Sequence, residues 1–308
     1  MNRRVFLGGA LAAAATTIIP GFNSKALASD YNIESYEIRN AGSTIPEGFV
    51  HPRLASSNLQ DVGARIVVSF DSSSSIDYSE HRMQLEVLAD AIESDDIYDA
   101  IFSPGGAESI AICVTDFSTL SELRIPWLDI RKGEAYKLKI LSNEIRALLR
   151  RESNMTSHIM ALRKADECLQ NCPWQARRSL VDIITDGTNN SGGSLTELHD
   201  AVDILAKKHN ATVNAFITLT PQYRGLEKWA WQNLVTQDKY NSETLDPGFV
   251  KIVATQISTK TPGAIVEYKD SMKLAFRRQL ILETAQLQPD VTPLRFGQIR
   301  RLFKNLPA

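Results

Sequence analysis

From Arg65 to Phe70 the chain reads R-I-V-V-S-F, apolar on both faces of an extended backbone, and the run stops at an acid, Asp71. β-Branched residues dominate it, so it predicts a strand buried on both sides, as in a parallel sheet covered by helices. Such a strand needs neighbours on either edge and a layer above and below. Further strands are predicted at Ser109–Phe117, Ile125–Ile130, Ser179–Thr185, Thr212–Thr218 and Ala264–Tyr268. Helical spacing is read over 78–94, with Leu85, Leu88, Ala89 and Ile92 on one face, and over Glu134–Leu149, Thr156–Leu169, Leu195–Lys208 and Ser271–Glu283. Residues 220–262 read as irregular and polar around a Trp-bearing helix, Gly225–Leu234. Strands alternating with helices predict an α/β fold: a doubly wound, mostly parallel sheet with helices on both faces.

The first residues stand apart from that pattern. Arg3 and Arg4 precede an apolar run to Ile19, and Ala26-Leu27-Ala28 fits the small-x-small rule for cleavage. N-R-R-V-F-L-G resembles a twin-arginine export signal, and Lys25 suits that route. The alternative is an uncleaved anchor, for which the run is short. Export would place the chain in the periplasm or outside the cell. Residues 1–28 hold three basic residues and no acid, so their removal takes the formal charge from −2 to −5. An acidic chain of this kind argues against a nucleic-acid partner.

Three cysteines remain. Cys113 reads as a buried free thiol. Cys168 and Cys172, four apart near a helix end, read either as a disulfide or as two thiols. The five histidines, at 51, 81, 158, 199 and 209, show no metal-ligand spacing, and His158, two residues after Thr156, reads either as a solvated helix position or as lining the rim of a site there. Trp229 and Trp231 read either as an exposed surface or as an anchor into the core.

The chemistry concentrates where predicted strands end. Asp71, Ser73 and Ser75 follow the first strand, and Asp186 follows Leu180–Ile184. Thr156 opens a predicted helix after the polar loop Glu152–Met155. In open α/β sheets the carboxyl edge is where ligands bind. Two carboxylates and three hydroxyls form a hard, all-oxygen set suited to Mg²⁺ or Mn²⁺, with Ca²⁺ compatible. So few charges leave a divalent cation under-neutralised. It would keep waters and accept a carboxylate from another molecule. The bland reading of Asp71, Ser73 and Ser75 is a capped turn, of Asp186 a turn acid before Gly187, and of Thr156 a helix N-cap.

These residues resemble the metal-ion-dependent adhesion site of von Willebrand factor A domains: D-x-S-x-S on the first loop, Thr on the second, Asp on the third. The chain is further similar to a bacterial family of exported, A-domain-like proteins of unknown function. That likeness is carried by Ile125-Pro126-Trp127, Arg177-Arg178, the segment Asp186 to Gly192 (D-G-T-N-N-S-G), and Gly263-Ala264 before Arg277-Arg278. It departs from the adhesion pattern at Ser74 and Met155, where glycine is usual. Ser153 and Ser157 are alternatives to Thr156. The organisation implied is a signal peptide over 1–28, an N-terminal arm over 29–61, an A-like domain over 62–285 and a basic tail over 286–308. In the tail Phe296, Ile299 and Phe303 fall on one face of a short basic helix, read either as packed on the domain or as touching a membrane surface.

The function expected is an exported binding module whose cation captures an Asp or Glu of a protein or peptide. The alternatives are a structural envelope component with a vestigial site and a metal-assisted hydrolase. Against catalysis, there is no G-x-S-x-G, H-E-x-x-H or phosphate-cradling glycine loop, and no general base is evident.

Overall fold

A computed structural model describes residues 49–51, 61–102, 106–151, 155–219, 225–236, 248, 250–255, 272–274, 276–277 and 280–281. The chain divides into residues 1–43 and 44–308, and every described residue lies in the second unit. The export signal, the basic tail, Ser153 and the expected strand Ala264–Tyr268 lie outside the described residues.

Six strands form one sheet in the order β3-β2-β1-β4-β5-β6. They are β1 (Val62–Asp71), β2 (Ser109–Phe117), β3 (Ser121–Arg131), β4 (Ala176–Thr185), β5 (Ala211–Leu219) and β6 (Val250–Thr255). All pairings are parallel except β2 with β3. The hairpin explains the exception, since only three residues separate Phe117 from Ser121 and a parallel return needs a long crossover. Val50 adds an isolated parallel bridge to Trp127, on β3.

The helices are α1 (Tyr78–Ile92), α2 (Asp95–Phe102), α3 (Ala135–Ala147), α4 (His158–Gln170), α5 (Leu195–His209) and α6 (Leu226–Asn233). They cover both faces. Ile66, Val68 and Phe70 of β1 join the core under α1 and α3, while Val67 joins the core under α4, α5 and α6. The two-residue period of a strand produces this division. Every residue of β1 is buried, as the uninterrupted apolar run requires. The described helical residues 272–281 place Met272, Phe276 and Leu280 in the first core, with Phe276 and Phe216 rings 4.7 Å apart.

Three differences from expectation have local causes. Helix α2 lies beyond the expected helix 78–94; at eight residues it makes barely two turns, too few to show a helical period. Strand β6 lies inside the region read as irregular; it is short, holds the sheet edge, and a lysine interrupts its pattern. Helix α4 starts at His158, not Thr156, because Ser157 is the N-cap and accepts the Met160 N–H at 3.3 Å. The three cysteines are buried free thiols, and α4 ends at Gln170, between Cys168 and Cys172. Among the described residues no helix is long and apolar enough to cross a membrane.

Candidate metal centre

β1 and β4 are parallel neighbours, with Phe70 in register with Ile184. Asp71, the last residue of β1, and Asp186, just past β4, therefore emerge side by side at the carboxyl edge. Both are fully buried. Asp71 Oδ1 accepts the Ser73 backbone N–H at 2.9 Å, and Oδ2 accepts the Thr185 hydroxyl at 2.7 Å. Ser75 Oγ donates to Asp186 Oδ1 at 2.7 Å and lies 3.0 Å from Ser73 Oγ. Asp71, Ser73, Ser75 and Asp186 thus form one connected set of oxygens.

That set is held from outside. The backbone N–H of Ser72 donates to Phe117 O of β2 at 2.8 Å, and Arg150 Nη2 donates to Ser73 O at 2.9 Å. Asp77 accepts the Glu80 N–H at 2.8 Å and so starts α1 directly after the loop. An acid at an N-cap satisfies an orphan donor and faces the positive end of the helix.

Thr156 is buried on a second loop that is bound to the third. Asn190 Oδ1 accepts the Thr156 N–H at 2.7 Å, and the Asn190 N–H donates to Thr156 O at 2.9 Å. Asn189 Oδ1 accepts the His158 N–H at 2.8 Å. Gly192 completes the approach: its φ is +84°, and a Cβ there would lie 2.1 Å from Ser157 Oγ. Only glycine fits that contact and that backbone angle. The structure joins Thr156 to the loop bearing Asp186; its hydroxyl makes no hydrogen bond to the side chains of Asp71, Ser73, Ser75 or Asp186.

The electrostatics set this edge apart. Burial, with the nearby Asp186 charge adding to it, pushes the Asp71 carboxyl up to about 7. Burial also raises Asp186 against the opposing hydrogen bond from Ser75. Asp186 Oδ2 is buried without a hydrogen-bond partner. Two buried like charges and an orphan carboxylate oxygen are costly unless a cation neutralises them. This donor set therefore fits a divalent ion. Among the described residues no three His, Cys, Asp or Glu side chains gather at one point, so hydroxyls have to complete any shell here.

His158 is not the solvated helix position that its sequence context favours; it reaches the site from inside the core. It is fully buried rather than solvated, and its ring lies 5.3 Å from both Phe117 and Trp229. Burial drives its pKa down to about 3, so it is neutral. Nε2 lies 3.2 Å from Thr185 Oγ1. That hydroxyl gives its proton to Asp71, so Nε2 must carry a proton and donate, leaving Nδ1 bare and without a partner. The chain His158, Thr185, Asp71 fixes the orientation of the carboxylate. Its only sequence signal was the Thr before Asp186. Trp229 is the tryptophan that anchors inward, while Trp231 is about half exposed.

A central parallel sheet in this strand order, with one antiparallel edge strand, helices on both faces and D-x-S-x-S after the first strand, defines a von Willebrand factor A-like protein. Within that class the chain belongs to the family described as protein of unknown function DUF1194, whose profile matches residues 61–287. No curated protein sequence matches it. Among solved structures it is similar to a von Willebrand factor type A protein from Catenulispora acidiphila, at 16% identity, covering 71% of this chain and 43% of that one, with a TM-score of 0.44. It is similar also to proximal thread matrix protein 1 of the mussel byssus, solved with a zinc-occupied MIDAS motif, at 20% identity, 70% and 48% coverage and a TM-score of 0.43. The PilB minor pilin of Streptococcus sanguinis gives 12% identity, 74% and 63% coverage and a TM-score of 0.48. The chain spans less than half the length of the first two. Likeness at this level concerns the fold and not what is bound.

Proposed function

We propose that this chain is an exported binding module in which a divalent cation, Mg²⁺ or Mn²⁺, captures a carboxylate of a partner protein or peptide. Asp71, Ser73, Ser75, Thr156 and Asp186 would hold the ion, Asp186 either directly or through a water. The observation that carries the reading is the buried pair Asp71 and Asp186, with Asp186 Oδ2 lacking any partner. When bound, the ion would supply a positive centre with a coordination position that these side chains leave to water, which an oxygen of a partner carboxylate could take. The chain's own residues do the positioning. Ser73 N–H and the Thr185 hydroxyl aim Asp71, and Asn190 presents Thr156. Export is supported by the twin-arginine-like start of the sequence alone.

Capture of a carboxylate is tested with bound Mn²⁺ as its own reporter. Water-proton relaxation enhancement by the protein-bound ion should fall as acetate is titrated, because a carboxylate replaces a bound water. Enhancement that acetate leaves unchanged would reject carboxylate capture while leaving ion binding in place.

A further inference from the structure

We propose that Cys113, Cys168 and Cys172 form a thiol relay: a disulfide brought by another molecule enters at Cys172 and is passed inward, ending as a Cys113–Cys168 bond that ties α4 to β2. The relay shares no residue with the metal centre and does not rest on it.

All three cysteines are free thiols packed into one core, that under α4, α5 and α6. Cys113 reaches it from the middle of β2, and Cys168 from the last turn of α4. The Cys113 thiol lies within hydrogen-bond reach of Cys168, and Cys172 is near enough for its charge to bear on Cys113. Trp127 Nε1 donates to Cys168 O at 2.9 Å and pins that last turn against β3. Cys172 stands beyond the end of α4, with its N–H donating to Leu169 O at 3.4 Å. Its thiol lies near Cys168 and within hydrogen-bond reach of the Arg65 guanidinium. Exposure ranks the three: Cys172 is 8% exposed, while Cys113 and Cys168 show no surface.

That ranking fixes the route. Two wholly buried thiols do not meet an external disulfide; Cys172, at the margin of the core, does. Its thiolate attacks one sulfur of the incoming disulfide, and one half leaves as a thiol. Cys168 then attacks Cys172 Sγ, and the other half leaves. Cys113 next attacks Cys168 Sγ, and Cys172 departs as a thiolate that takes up the proton from Cys113. In sum, two protein thiols are oxidised and one external disulfide is reduced to two thiols. Burial lifts the Cys172 thiol to about 11 against the pull of Arg65, so entry is slow at neutral pH. The last exchange runs inward for two reasons. Residues four apart at a helix end sit near the upper limit of Cα separation for a disulfide. A Cys113–Cys168 bond closes a long loop through β3 and α3, and so constrains the unfolded chain more than closing a single turn does. A soft metal ion is not what this core fits, since among the described residues no three Cys, His, Asp or Glu side chains gather at one point. Export, read from the start of the chain, would bring it to such disulfides.

The test incubates the full chain with hydroxyethyl disulfide, alkylates the remaining thiols in urea and maps the peptides by mass spectrometry without reduction. The Cys113 and Cys168 peptides should be found joined, with Cys172 alkylated, and the oxidised chain should melt at a higher temperature than the reduced one. Cys172→Ala removes the entry point and should slow formation of the bond about tenfold. Cys113→Ala should stop at a Cys168–Cys172 bond. A bond formed equally fast in Cys172→Ala would overturn the relay. In the unmodified chain, which needs no variant to fold, a final Cys168–Cys172 bond or mercaptoethanol retained on Cys172 would overturn the inward transfer. Three thiols still alkylated after prolonged incubation would overturn the site altogether.

Discussion

The two ends of β1 each bury charge, and they treat it in opposite ways. Near the amino end, Arg65 is buried on the α4 face of the sheet. Its guanidinium donates to Ser179 Oγ at 2.9 and 3.2 Å and to the carbonyls of Leu169 and Trp174 at 3.4 Å. Those carbonyls belong to the end of α4 and the turn beyond, where a cation is favoured and acceptors are left over. The protein satisfies this charge by itself. At the carboxyl end, Asp71 sits beside a second buried acid, and an oxygen of that acid has no partner. One end of the strand is closed and structural. The other keeps two buried acids side by side, one of them with an oxygen that no hydrogen bond satisfies.

The contrast can be broken from either end, and the largest effect is expected at the closed one. Arg65→Met removes every donor at once and strands buried carbonyls. It should cost about 3 kcal/mol in urea unfolding, equally with and without Mn²⁺. Asp71→Asn should do the reverse: without metal it relieves the like-charge pair and stabilises by about 2 kcal/mol at pH 8, while stabilisation by Mn²⁺ disappears. A loss of stability in metal-free Asp71→Asn would mean that the two acids do not oppose each other.

The pH dependence sharpens the same point. The folded-state Asp71 carboxyl is raised from 3.8 to about 7, so between those values the native state binds more protons than the unfolded one. Metal-free stability should therefore fall as pH rises through that window and level off above it. With saturating Mn²⁺ the proton is displaced, so the stabilisation by the ion should grow with pH up to about 7. Thermal melts at several pH values, with and without the ion, check both signs. The smallest effect is expected at Asn190→Ala. Losing one side-chain acceptor for the Thr156 N–H should cost about 1 kcal/mol and weaken Mn²⁺ binding several-fold. A calorimetric titration that gives unchanged affinity would remove the Thr156 loop from the centre.

Much of this was legible before any coordinates. The apolar run before Asp71 implied a strand covered on both faces, and β1 is buried throughout. The order of acid, hydroxyls and second acid along the sequence implied one sheet edge, because parallel neighbours release their loops on the same side. The burial of His158 was not legible, because a histidine on a helix carries no sign of what faces it. It is the packing of Phe117 and Trp229, distant in sequence, that buries its ring. The roles of Asn189 and Asn190 were hidden for a related reason. As turn residues they explain themselves locally, and their bonds to the Thr156 loop exist only once α4 lies beside β4. β6 escaped notice because an edge strand needs only one apolar neighbour and shows a weak pattern.

The central claim is that the Asp71 and Asp186 pair is completed by a divalent cation. It is tested most directly by melting the full chain at pH 8 with and without millimolar Mn²⁺, beside Asp186→Ala under the same conditions. An ion at a hundred times its dissociation constant stabilises the native state by about 2.7 kcal/mol, so the melting temperature of the unmodified chain should rise by several degrees and that of the variant should not move. Equal melting temperatures for the unmodified chain with and without the ion would contradict the account.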